Sequence, residues 1–89
     1  MIREELTPEE WELLLYCVRR WRPELLPKLD TLSSDDIQII KNVYSAIGDE
    51  VTSEGFHGKD QKSYQYGIKL EKLMDKLYDS YIHLDQKRK

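Results

Sequence analysis

Residues 7–21 read TPEEWELLLYCVRRW, and this stretch decides the fold of the chain. Thr7 is a good helix N-cap, and Pro8 suits the first helical position because the N–H that it lacks would have no helical partner there. Glu10 stands three residues after Thr7, where its side chain completes a capping box. The stretch therefore predicts a helix that begins immediately after Thr7.

The same helix carries a broad apolar face. Apolar residues recur at helical spacing, and further apolar neighbours widen the stripe to more than half of the circumference. The stripe comprises Trp11, Leu14, Leu15, Val18 and Trp21, widened by Leu13, Tyr16 and Cys17. A face this broad predicts at least two packing neighbours, so we expect a homodimer or a complex with another protein.

Two prolines interrupt the chain after this helix. Pro23 predicts its end or a kink, since proline removes a backbone donor and restricts the residue before it. Pro27 then limits residues 24–26 to a turn or a short helix, before a polar break at residues 30–34. The sequence thus predicts a short proline-bounded element.

A second helix is predicted to start at Ser33 or Ser34, with Asp35 and Asp36 in its first turn, where the helix dipole favours anions. Its core-facing stripe is Ile37, Ile40, Tyr44, Ile47 and Val51, with Ile39 and Val43 on the shoulder.

A third helix is under way by about Ser63. Its stripe is Leu70, Leu73, Met74, Leu77, Tyr78, Tyr81 and Leu84, backed by Tyr64, Ile68 and Ile82. On its polar side we expect weak pairs of Lys72 with Asp75 and of Lys76 with Asp79, because residues three apart are neighbours on a helix.

These patterns predict an all-α fold, a small bundle of three main helices with a short proline-bounded helical element after the first. At 89 residues the chain has room for one core, so we expect a single domain over residues 1–89. We expect frayed ends at about residues 1–5 and 85–89.

The charge balance bears on the class of partner. The formal net charge is −3, and the last five residues contribute +2 from one Asp, two Lys and one Arg, so residues 1–84 carry −5. An acidic body argues against general nucleic-acid binding, which depends on clustered Lys and Arg. We therefore expect another protein, of basic character, as the partner, and no nucleic acid.

Cysteine use and hydropathy bear on location. Cys17 is the single cysteine, so no internal disulfide forms, and its place in an apolar run predicts a small buried side chain. No apolar run approaches the ~18 residues that cross a bilayer, and no secretory signal pattern opens the chain. We expect a cytoplasmic protein that does not enter a membrane.

The chain offers no pattern of residues typical of catalysis. His57, His83, Glu50, Glu54 and Asp75 include the types that bind metals or transfer protons, but no His-x-x-x-His, His-Glu-x-x-His or paired-cysteine spacing is present. Cys17 and the serines have no evident histidine partner in the sequence. We expect no catalytic residue, metal or cofactor, and thus not an enzyme.

A candidate contact surface lies at the end of the second helix and in the connection that follows. Gly48, Asp49, Glu50 and Glu54 break local rules, because glycine costs about 1 kcal/mol inside a helix and acids near a helix C-terminus oppose its dipole. Phe56, Tyr64 and Tyr66 would add aromatic anchors. The predicted partner-binding residues are Asp49, Glu50, Glu54, Phe56, Tyr64 and Tyr66.

Structural explanations stand beside this prediction. Gly48 and Ala46 would allow a neighbouring helix to approach closely while the acids face water, and the aromatic residues would pack over one end of the bundle. Arg19, Arg20 and Arg22 around Trp21 suit a helix C-terminus, with a base-stacking platform as the functional alternative.

The preferred function is a non-catalytic protein–protein interaction module. Neutralisation of a toxin, as by immunity proteins or antidotes, is the alternative within that class, since compact acidic domains suit basic targets. A small enzyme or a metal-binding protein is the alternative of another class.

Overall fold

The structure, a computed structural model, describes residues 2–33, 35–55 and 61–83, and only the backbone of residues 54, 55 and 61–64. Those residues form helices and no strand. The α-helices are α1 (Ile2–Glu5), α2 (Pro8–Trp21), α3 (Leu26–Leu29), α4 (Ile37–Glu50) and α5 (Gln61–Leu77). A 3-10 turn at Pro23–Leu25 precedes α3, and π-helical turns at Val51–Gly55 and Tyr78–Ile82 continue α4 and α5. The predicted bundle of three main helices is confirmed.

The N-terminus of α2 has the predicted capping box. The Thr7 hydroxyl accepts a hydrogen bond from the Glu10 N–H at 3.1 Å, and the Thr7 N–H donates to Glu10 Oε1 at 2.9 Å. Two N–H groups that the helix itself leaves unpaired are therefore satisfied by neighbouring residues. Because both hydrogen bonds join residues only three positions apart, the start of α2 can be predicted from the sequence.

The proline-bounded element is present and consists of two short turns. Helix α2 ends at Trp21, and Pro23 opens the 3-10 turn. Pro27 lies at the start of α3, where its missing N–H leaves no helical bond unmade. Leu25 and Leu29 are buried, so this element covers part of the core.

Helix α4 begins at Ile37, later than predicted. Asp36 is its N-cap residue, but the Asp36 carboxylate accepts from the Ser33 N–H at 3.0 Å and from the Ser33 hydroxyl at 3.3 Å. These bonds close a turn before the helix instead of capping it. The prediction that Asp35 and Asp36 lie in the first helical turn is wrong, and Ser34 lies outside the described residues.

The buried face of α4 is also rotated from the predicted stripe. The fully buried residues are Ile40, Val43, Ala46, Ile47 and Glu50, whereas Ile37, Tyr44 and Val51 are only partly buried. Ile40 and Ile47 are buried as predicted, but the centre of the face also includes Val43, which was predicted on the shoulder, and Glu50, which was predicted on the surface. Packing of α4 against both α2 and α5 decides this orientation.

Most of the broad face of α2 is covered within one chain, although Tyr16 is exposed. Trp11, Leu14, Cys17 and Val18 are buried, and α2 packs against α4, α5 and the short proline-bounded element. Helix α5 contributes Leu70, Leu73 and Leu77 to the same core. Leu84 of the predicted stripe lies outside the described residues.

Residues 2–5 form a helical turn where the sequence analysis expects a frayed end. Ile2 is buried, and its N–H donates to the carbonyl of Leu32 at 3.1 Å. The Tyr81 hydroxyl donates to the Glu5 carboxylate. The apolar side chain and these long-range bonds anchor the turn. Residues 85–89 lie outside the description.

Within the described ranges, no helix combines the length and the apolar character that a membrane crossing requires.

Candidate functional site

Glu50, the last residue of α4, lies inside the fold and not on a surface patch. Its side chain is 1% exposed. Glu50 Oε1 accepts from Arg20 Nη1 at 3.0 Å and from Trp21 Nε1 at 2.9 Å, and Oε2 accepts from the Tyr66 hydroxyl at 2.6 Å. The carboxylate thus joins the last turn of α2, the end of α4 and the first turns of α5. We call Arg20, Trp21, Glu50 and Tyr66 the Glu50 network.

The donors around Glu50 compensate for the removal of its charge from water. A buried carboxylate is tolerated only when opposite charge and hydrogen bonds satisfy it, and here one cation and two neutral donors do so. The Arg20 guanidinium also lies 5.1 Å from the centroid of the Trp21 ring, a cation–π distance. The network therefore specifies how the three long helices meet.

The environment of the network suppresses ionisation of two neighbouring acids. Burial raises the pKa of the Cys17 thiol to about 12, and the negative charge of Glu50 adds to this effect. Burial, followed by the hydrogen bond to Glu50, raises the pKa of Tyr66 above its ordinary value. Cys17 is therefore a protonated core residue and not an activated nucleophile.

Arg22, the residue after Trp21, also has a structural role. Arg22 Nη2 lies 3.1 Å from Asp49 Oδ2 and 3.3 Å from the Ser45 hydroxyl. Arg20 and Trp21 bind Glu50, and Arg22 binds Asp49, so these residues join α2 to α4. This structural role accounts for residues that the sequence analysis weighed as a base-stacking platform.

The six predicted partner-binding residues do not form one described patch. Asp49 is partly exposed and paired with Arg22, Glu50 is buried, and Tyr66 is half-buried with its hydroxyl on Glu50. The backbones of Glu54 and Tyr64 lie in the π-helical turn after α4 and in the first turn of α5. Their side chains, and all of Phe56, lie outside the described residues.

The internal position of Glu50 had a signal in the sequence. Ile40, Val43, Ile47 and Glu50 alternate steps of three and four, which is the spacing of a buried stripe. An acid on such a stripe requires buried donors, and Trp21 and Tyr66 are residues that supply one when they are buried. Their separations of 29 and 16 residues from Glu50 hide the pairing from any local pattern.

A cavity lies on another side of α4, in a groove between α4 and α5. Its volume is about 510 Å³. It is lined by Tyr44 and Gly48 of α4, Val51 and Thr52 of the π-helical turn, and Glu71, Met74 and Asp75 of α5. We call this the α4–α5 groove. Volumes of this order are typical of ligand sites in proteins.

Gly48 leaves the floor of the groove open, and the packing of α4 does not require a glycine there. A Cβ placed on Gly48 would lie 3.5 Å from the Met74 methyl carbon, which is ordinary van der Waals contact. No glycine in the described part of the chain has a positive φ. The structure does not support the explanation that Gly48 admits a close helix, because the nearest neighbour is the end of a flexible side chain.

The wall of the groove departs from α-helical geometry. Val51 and Thr52 belong to the π-helical turn, and the Thr52 hydroxyl donates to the Gly48 carbonyl at 3.1 Å. Single π turns inside helices are rare and are found frequently at functional sites. Tyr44 forms the adjacent wall, and its ring lies 6.1 Å from the ring of Tyr78.

Charge is segregated on the two sides of α5. Lys69 pairs with Glu9 at 3.0 Å, and Lys76 pairs with Glu10 at 2.9 Å, both across to α2. Lys72 lines a small cavity with Glu9, Glu10, Leu13 and Lys69 on that side. The expected pair of Lys76 with Asp79 is replaced by the pair with Glu10.

The opposite side of α5 is acidic. Glu71 and Asp75 are exposed on the rim of the α4–α5 groove, one helical turn apart. Among the described residues, no Lys, Arg or His forms an ion pair with either carboxylate, so the expected pair of Lys72 with Asp75 is not found. Like charges at this spacing destabilise a helix by ~0.2–0.5 kcal/mol, a cost that a bound cation would relieve.

No described group of three or more His, Cys, Asp or Glu side chains is arranged to hold a metal ion. Comparison with family models, with curated proteins and with solved structures finds no match for this chain.

Proposed function

We propose that this protein is a non-catalytic protein-binding module that binds a basic segment of another protein in the α4–α5 groove. The acidic rim supports this proposal most directly. Glu71 and Asp75 border the groove, while Lys69 and Lys76 are engaged with α2. A partner with positive charge therefore complements the rim and is attracted by the acidic body.

Local irregularity supports the same surface. Gly48 and the π-helical turn both weaken regular helix structure, and both line the groove. Departures from local rules that bring no packing gain concentrate at functional sites. Outside the groove, the hydrogen bond from the Tyr66 hydroxyl to Glu50 joins α5 to α4, the two helices that form the groove.

Panning a random peptide display library against the full chain tests the proposal. We expect recovered peptides to be enriched in Lys and Arg and to bind more weakly as salt is raised. Gly48→Leu fills the floor of the groove and should abolish their binding, whereas Gln38→Leu adds the same side chain at an exposed α4 position outside it and should not. Both variants must retain the helical circular dichroism of the parent.

Peptides without basic enrichment, or basic peptides that bind Gly48→Leu as well as the parent, would overturn the proposal.

Neutralisation of a basic toxin is a second candidate of the same kind. The net charge of −5 over residues 1–84 favours it, because an acidic domain suits a basic target. A toxin gene beside the gene for this protein, and protection of cells by its expression, would support it. Expression that leaves the toxicity of the neighbouring gene product unchanged would exclude that role.

A further inference from the structure

We infer that the α4–α5 groove recognises an arginine side chain of its partner, with the guanidinium held by Glu71 and Asp75 and stacked on Tyr44. The inference rests on the proposed function, which requires only a basic segment. The charge of the rim and the chemistry of the lining both favour arginine as the occupant of the groove.

The two carboxylates on the rim of the groove favour a guanidinium over an ammonium group. Glu71 and Asp75 are four residues apart on α5, so their carboxylates are neighbours, separated by about 6 Å between their Cβ atoms. An ammonium is a compact point charge, whereas a guanidinium carries five donors in a planar fork that matches carboxylates. Arginine therefore satisfies two neighbouring carboxylates better than lysine does.

The walls suit the rest of an arginine side chain. Tyr44 is half-buried on one wall, and its contact with Tyr78 restricts the ring. A guanidinium stacks on such a ring with a cation–π gain. Gly48 and the Met74 methyl group leave an apolar floor on which a methylene stem can lie. The groove thus offers a matching surface both to the guanidinium and to the methylene stem of an arginine side chain.

Three capped peptides of sequence Ala-Ala-Xaa-Ala-Ala test the inference, with Xaa as arginine, lysine or citrulline. Citrulline keeps the shape of arginine without its charge. Binding to the full chain is measured by NMR titration of the Gly48 and Thr52 amides at millimolar peptide. We expect the arginine peptide to bind at least about fivefold more tightly than the lysine peptide, and the citrulline peptide not to saturate.

A charge-matched pair of variants locates the interaction. Glu71→Gln with Asp75→Asn should weaken arginine-peptide binding about tenfold, whereas Glu24→Gln with Asp30→Asn changes the net charge equally at exposed sites away from the groove and should leave it unchanged. Tyr44→Leu should reduce the preference for arginine over lysine.

Equal binding of the lysine and arginine peptides would overturn this inference and leave the proposed function standing. Binding of the citrulline peptide as tight as that of arginine, no shift with any peptide, or equal losses in the two double variants would also overturn the inference. The proposed function fails separately, in the panning experiment.

Discussion

At the scale of single residues, Glu50 decides how the three long helices meet. Its carboxylate is 1% exposed and accepts from Arg20, Trp21 and Tyr66. Glu50→Ala leaves these donors without their acceptor, so we expect a loss of about 3 kcal/mol in the free energy of unfolding. Tyr66→Phe removes one donor and should cost about 1–2 kcal/mol. Urea denaturation measures both.

Losses below about 0.5 kcal/mol for both variants would mean that solvent replaces the network at no cost and that Glu50 does not organise the bundle.

Cys17 makes stability depend on alkaline pH. The pKa of its thiol is about 12 in the folded protein and near 9.0 ordinarily. The unfolded chain therefore loses this proton first, so the contribution is fully present below about pH 9 and is lost as pH rises towards 12. One such group lowers stability by about 1.4 kcal/mol per pH unit in that window. The raised pKa of Tyr66 adds a loss of the same sign above pH 10.

The control is Cys17→Ala, which removes the thiol titration. We expect a shallower decline of unfolding free energy between pH 9 and 10 in the variant than in the parent. Equal slopes would show that the thiol ionises as readily in the folded chain as in the unfolded one.

At the scale of elements, Gly48 is a direct test of why α4 contains a glycine. A Cβ has room, 3.5 Å from the Met74 methyl, and the backbone is helical. Gly48→Ala should therefore stabilise the protein by about 1 kcal/mol, the difference in helix propensity. Thermal unfolding measures the effect. Destabilisation would show that the floor of the groove is closed to a methyl group, and the argument that the glycine serves binding would fail.

The elements that sequence predicted well are those fixed by near neighbours. The capping box joins Thr7 to Glu10, which are only three positions apart, so the sequence pattern predicts it directly. The predicted start of α4 is wrong because an aspartate in this position can either cap a helix or close a turn. Asp36 closes a turn with Ser33, and tertiary packing decides between the two conformations. The partners of Glu50 lie too far away in sequence for any periodic pattern to reveal them.

At the scale of the whole molecule, the core combines residues from each long helix. Ile40 is 0% and Leu73 is 1% exposed. Replacing either with Ala should cost about 2–5 kcal/mol, enough to unfold a marginally stable domain. Loss of cooperative unfolding or a large drop in urea midpoint is the expected result. A cost below about 1 kcal/mol for both would contradict the burial of these faces.

The association of whole molecules is a separate matter. The broad face of α2 motivated a homodimer, but Trp11 and Tyr81 are buried within one chain. Among the described residues, Tyr16, at 48% exposure, is the only large hydrophobic side chain classed as exposed. We therefore favour a different protein as the partner and expect light scattering to report a monomer at micromolar concentration. A stable dimer in solution would contradict this expectation and show that a second copy of the chain is a partner.

The α4–α5 groove differs from the predicted contact surface, because none of the six predicted partner-binding residues lines it. The sequence analysis expects the acidic surface at the end of α4, whereas the structure has an acidic rim on α5 that forms no ion pair with any described residue, at Glu71 and Asp75 beside Gly48. The sequence shows that a glycine interrupts α4 at Gly48. It does not show which residues lie across the groove, because these are 23 to 27 positions away and meet Gly48 only in the folded chain.

The most direct measurement of the central claim is the methyl NMR signal of Met74 on addition of the arginine pentapeptide. The chain has two methionines, and the Met74 signal is assigned by its loss in Met74→Leu, so its labelled methyl group reports on the groove. We predict that the Met74 signal shifts in a saturable way and that Gly48→Leu removes the shift. A Met74 signal that does not move while backbone amides elsewhere report peptide binding would contradict the claim that the α4–α5 groove is the binding site.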